Sequence, residues 1–141
     1  MTRLVIVIPC SGEKLDYDPV ARAIAGESPY VPAGELYVGA FHRYARQQAE
    51  RLADEVLIMS AWKGLITPDF MLHPYDVTID DPNSIVARPS LIVHQAANLG
   101  LFAPGVVAVS WCPACGSSSA TTGAHRGRRS RGAKDENPAS R

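Results

Sequence analysis

Residues 57–80 read LIMSAWKGLITPDFMLHPYDVTID. The apolar run entered at Val56 stops at Ser60, and a tryptophan, a lysine and a glycine follow almost at once. A short, continuous apolar run predicts a strand buried on both faces, as strands of a parallel sheet are. A polar, turn-forming cluster just beyond it falls where open α/β sheets bind ligands. Working outward, LVIVIP at 4–9 is a second such run and GVVAVS at 105–110 a third.

Helical spacing fills the intervals. From Glu35 to about Ala53, Tyr37, Phe41, Tyr44 or Ala45, Gln48 and Leu52 recur on one predicted face, with Arg43, Arg46, Glu50 and Arg51 opposite. Ser84 to Leu99 predicts another helix, stopped by Asn98 and Gly100. Pro89 either bends it or marks its true first turn. Strand, helix, strand, helix, strand implies parallel pairing through helical crossovers. The expected fold is α/β, a small three-layer unit with a mostly parallel sheet flanked by helices.

The totals fit one domain. The chain has 141 residues and is 46% hydrophobic, enough for a real core. We expect a single α/β domain over 1–110. Residues 111–141 are rich in Ser, Gly, Ala and Arg, have almost no large apolar residue beyond Trp111 and predict a disordered tail. Fourteen basic residues balance fourteen acidic ones, so net charge gives no argument for a nucleic-acid or membrane partner. No apolar run reaches membrane-spanning length. The opening LVIVI is too short for a signal peptide and is ended by Pro9, so a cytoplasmic setting is expected. Cys112 and Cys115 form a lone C-x-x-C, whereas a structural zinc site calls for a second ligand pair. No metal or cofactor is expected.

Three loops follow the predicted strands. In PCSGEK, Ser11 and Gly12 can offer backbone N–H groups to an anion, and Lys14 adds charge. The phosphate-loop spacing G-x-x-x-x-G-K-[ST] is missing. Cys10 is a nucleophile only if a neighbour activates it, and otherwise a structural thiol. In the second loop Ser60 ends the strand, and Lys63 and Gly64 form a turn. Lys63 either steers a phosphate or faces water. Trp62 either stacks on a base or, as expected, packs beneath the loop. Pro74 holds His73 extended, placing Tyr75 and Asp76 close together in a constrained turn. Asp76 there can position water or stabilise a sugar-like cation, or it can cap the next turn. Asp80 and Asp81 are expected to cap the following helix. The third loop, SWCPAC, can close the same cleft. Tyr37, in the first turn of the long helix, offers a hydroxyl.

Taken in order, IPCSGEKLD, PAGELYVGAFHRYARQQAERLAD and VLIMSAWKGLITPDFMLHPYDVTI resemble a bacterial and phage family of small α/β proteins of unknown function. The opening motif resembles one in the glycosylase-like domain of archaeosine synthases and, more distantly, uracil-DNA glycosylase-type folds. The resemblance covers roughly residues 3–100. It implies that Cys10, Ser11, Lys14, Tyr37, Ser60, Lys63, Gly64, Tyr75 and Asp76 line one site. It further implies a nucleotide, nucleoside, nucleic acid or modified base as ligand, with Asp76 orienting water. Two features depart from the pattern. Trp62 stands where relatives usually have lysine or tyrosine, and the segment after the third strand is replaced by WCPACGSSSATTGAHRGRRSRG. Three functional expectations follow: an N-glycosidase or base-exchange enzyme, a non-catalytic nucleotide or nucleic-acid binding module, or a truncated, inactive homologue. Under the first, Asp76, Ser11, Tyr75 and Cys10 carry the chemistry. Lys14, Tyr37, Ser60, Trp62, Lys63 and Gly64 hold the ligand.

Overall fold

A computed structural model describes residues 2–77, 86–110 and 119–121. The chain runs β1 (Arg3–Pro9), α1 (Pro19–Ile24), β2 (Val31–Pro32), α2 (Ala33–Leu36), α3 (Ala40–Leu52) and β3 (Glu55–Ser60). It continues through β4 (Gly64–Ile66), β5 (Met71–Leu72), α4 (Pro89–Asn98), β6 (Val106–Ser110) and β7 (Ser119–Thr121). The main sheet has the order β4-β3-β1-β6-β7. β1 lies between β3 and β6 and is parallel to both, with Val7 opposite Leu57 and Ser110. β4 and β7 add antiparallel edges. The expected α/β unit with a mostly parallel sheet is what the chain forms.

The continuous apolar runs are explained by two covered faces. Strand side chains alternate between faces. Ile8, Val56 and Ile58 therefore join Ala45 and Ala49 of α3 in one core. Val5, Val7 and Leu57 join Ala96 of α4 in the other. Leu57 is wholly buried, and its truncation to alanine would cost about 2–5 kcal/mol.

Two helix boundaries differ from the sequence reading. The segment read as one helix from Glu35 is broken: α2 ends at Leu36 and α3 starts at Ala40. The break pairs with the loop after β1, through a Lys14–Tyr37 bridge and bonds from Leu15 N to Leu36 O (2.8 Å) and Val38 N to Glu13 O (3.1 Å). The buried face of α3 is His42, Ala45 and Ala49, whereas Phe41, Tyr44 and Leu52 are exposed. Small residues let α3 lie close on the sheet, and the larger ones are turned outward. α4 begins at Pro89, which is its first turn and no kink.

Most of the expected tail, with Cys112, Cys115 and the arginine run, lies outside the described residues, as do Asp80 and Asp81. Ser119–Thr121 are described as the strand beside β6. Among the described residues no helix is long and apolar enough to cross a membrane.

Candidate functional site

Parallel pairing puts the carboxyl ends of β1 and β3 side by side, with Pro9 opposite Met59. Ser60, the last residue of β3, has 0% exposure. Its Oγ accepts from Lys63 N at 3.1 Å and Trp62 N at 3.3 Å, closing the turn that leads into β4. The Tyr37 hydroxyl donates toward the same oxygen over 3.3 Å. The Tyr75 hydroxyl is 3.0 Å from Ser60 Oγ and 2.5 Å from the Tyr37 hydroxyl. One proton order satisfies every group: Ser60 donates to Tyr75, Tyr75 to Tyr37, and Tyr37 back to Ser60. The trio forms a closed ring. Burial pushes both phenols above their ordinary range, most strongly for Tyr37, so they stay protonated at neutral pH.

The turn is clamped from the other face of the sheet. Gln95 of α4 accepts from Leu65 N and donates to Lys63 O, each at 2.9 Å. Gly64 sits between them at φ +76°, in the left-handed region. A Cβ there would run into Gln95 Oε1.

Around the buried ring lies an aromatic shelf carrying two cations. Lys63 Nζ is 3.7 Å from the Trp62 ring centroid, and Lys14 Nζ is 4.5 Å from that of Tyr75. Trp62 meets Tyr75 at 5.1 Å and His73 at 5.6 Å, and His73 meets Tyr30 at 5.8 Å. Trp62 is half-buried, so it serves as packing and as surface at once. Trp62 also lines a cleft of about 510 Å³, together with Ala87, Arg88, Ser90, Leu91 and His94.

The residues named from sequence thus divide. Lys14, Tyr37, Ser60, Trp62, Lys63, Gly64 and Tyr75 come together. Cys10 joins them at the end of β1: it is a half-buried free thiol whose negative charge, if formed, would raise both tyrosine pKa values. Ser11 stands apart from the ring. Its Oγ accepts from Glu13 N at 3.0 Å, and it abuts Gly39 so closely that a Cβ at 39 would collide with it. Asp76 is exposed. Among the described residues no group of His, Cys, Asp and Glu is placed to hold a metal ion.

Sequence reasoning passed over Gln95 and His42. Gln95 gave no local signal, because its partners are about thirty residues away in the chain. His42 was legible in principle, since it shares a helical face with Ala45 and Ala49. Its Nδ1 lies 2.8 Å from Pro9 O, and a carbonyl only accepts, so Nδ1 carries the proton. Nε2 then presents a bare lone pair that meets no hydrogen-bond partner among the described residues. Burial holds the His42 pKa below its ordinary value.

The model of a family of unknown function (DUF6884) matches residues 5–88, a span that includes the hydroxyl ring, both lysines and the aromatic shelf. No curated protein and no solved structure matches the chain.

Proposed function

We propose that this chain, which belongs to that family of unknown function (DUF6884), is a binding module for a nucleotide, free or as a unit of nucleic acid. The observation that carries the reading is the pair of lysines resting on Trp62 and Tyr75 at the carboxyl edge of the sheet. An aromatic ring gives a base a stacking partner, and a mobile ammonium beside it gives a phosphate a counter-charge. A lysine side chain leaves an aromatic face at a cost of about 0.5–1 kcal/mol where exposed, which phosphate contact offsets. The resemblance to the glycosylase-like domain of archaeosine synthases supports the same ligand class.

Binding accounts for these residues better than catalysis does. The hydroxyls of Tyr37, Ser60 and Tyr75 are engaged with one another and are hard to ionise. Such groups hold a loop in shape and make poor nucleophiles. The N-glycosidase reading is favoured by one feature: Asp76 directly follows Tyr75 at the rim of the shelf. In that reading Asp76 swings onto the sugar when ligand is bound.

A ligand screen by thermal shift tests both, using nucleotides, nucleosides, free bases and short single-stranded DNA, with chromatography for released base. Binding predicts a stabilising nucleotide and no released base. Release that disappears in Asp76→Asn while binding persists would establish the glycosidase instead. A cooperative melt that no ligand moves would defeat both.

A further inference from the structure

Outside the shelf, a groove of about 750 Å³ runs along α3. Ala40, Arg43, Tyr44 and Gln47 line it, at i, i+3, i+4 and i+7, so they form one stripe. It is a different stripe from the buried His42, Ala45 and Ala49. Tyr44 is 57% exposed, far more than a core tyrosine would be. Arg46, beside the stripe, is tied to Glu50 and to the Gly34 carbonyl. Arg43 is exposed, and among the described residues no carboxylate is paired with it. With Arg46 neutralised by Glu50, Arg43 is the cation this stripe offers a ligand, and Glu35 is the carboxylate in the same lining.

The groove and the shelf are two sides of one ridge. The ridge is the extended segment 13–15 bridged to 36–38. Successive side chains of an extended segment point to opposite sides. Lys14 accordingly lies on Tyr75 at the shelf, while Leu15 lines the groove. Tyr37 belongs to both, with its hydroxyl in the ring beneath the shelf and its residue in the groove wall.

Building on the nucleotide reading above, we infer that the ligand is a single-stranded nucleic acid rather than a free mononucleotide. One base occupies the Trp62–Tyr75 shelf, the backbone crosses the ridge at Lys14, and the next unit lies in the groove. There Tyr44 stacks on a base and Arg43 meets a phosphate. Aromatic rings alternating with cations along a groove are what sequence-tolerant strand binding requires. With so few cations the affinity is modest and its salt dependence shallow, because the slope scales with the number of phosphates neutralised.

The test is fluorescence anisotropy with labelled oligothymidylates of graded length, set beside thymidine monophosphate binding by calorimetry, for wild type and for Arg43→Glu, Tyr44→Ala and Glu35→Gln. All three substitutions are at surface positions, and a thermal melt of each confirms folding. Affinity should rise about tenfold or more from mononucleotide to short strand, the increment expected of one added stacked base. Arg43→Glu and Tyr44→Ala should abolish that gain and leave mononucleotide binding unchanged, while Glu35→Gln should enlarge it. Equal affinity at every length overturns the inference and leaves the shelf reading standing. So does a length gain that survives Arg43→Glu, or an Arg43→Glu that weakens the mononucleotide equally. Failure of every nucleotide at every length overturns the shelf reading too.

Discussion

Ser60→Ala should be the most damaging conservative change at the strand ends. It deletes one buried oxygen that serves four partners. Bonds to Lys63 N (3.1 Å) and Tyr75 (3.0 Å) are of ordinary length and are worth about 1 kcal/mol each. Those to Trp62 N and Tyr37, both at 3.3 Å, are weaker, about half that each. Tyr37 and Tyr75 keep each other, so the phenols are not orphaned. The sum is about 3 kcal/mol, or roughly 10 °C in Tm for a domain of this size. Ser11→Ala is the matched control, because Ser11 Oγ serves one exposed N–H and should cost under about 1 kcal/mol. Urea denaturation of both variants, with calorimetric melts, reads the difference directly. A Ser60→Ala protein within about 1 kcal/mol of wild type, or no less stable than Ser11→Ala, would refute the hydroxyl ring as the centre of the site.

The other predictions concern the clamp and the buried titratable groups. Gly64→Ala puts a Cβ at φ +76° and into Gln95 Oε1, so it should cost at least about 2 kcal/mol in urea denaturation. Gly12→Ala, with open space around it, should change stability by less than about 1 kcal/mol, and equal losses would contradict the clamp. Because the folded His42 pKa lies below the unfolded 6.5, the unfolded chain takes up the proton first. His42 should therefore contribute full stability above pH 6.5 and lose it as pH falls below that value toward the folded pKa; an unchanged acid limb in His42→Asn would count against this. Tyr37 and Tyr75 titrate above 10 when folded, so native phenolate absorbance near that pH should fall short of the urea-unfolded chain's. Stability should correspondingly drop as pH rises through 10, and less so in Tyr75→Phe.

What the sequence made legible was whatever repeats locally. Three apolar runs gave the three parallel strands, and the serine closing the second run marked the edge where the ring forms. The failures share a cause, which is pairing between distant segments. Tyr37 has helical spacing with Phe41, yet its backbone is claimed by Lys14 from the loop after β1, and the helix breaks there. The two-residue strands β2 and β5 pair Val31 with Leu72, forty-one residues apart, and carry no periodicity of their own. Size misled as well: Phe41 and Leu52 read as core, but closeness of α3 to the sheet selected Ala45 and Ala49. Within the site, Ser60 and Tyr75 could be named by position and resemblance. Their mutual bonding, and the separation of Ser11 from them, depend on how two strand-end loops fold over each other.

The central claim is that Trp62 and Lys63 hold a nucleotide at the end of β3. Isothermal calorimetry of wild type, Trp62→Ala and Lys63→Ala with the nucleotide that best stabilises the fold tests it most directly, once melts confirm that each variant is folded. The account predicts saturable one-site binding in wild type, at least tenfold weakened by Trp62→Ala through lost stacking. It also predicts that Lys63→Ala weakens binding of the nucleotide but not of the corresponding nucleoside. Undiminished affinity in both folded variants would contradict it.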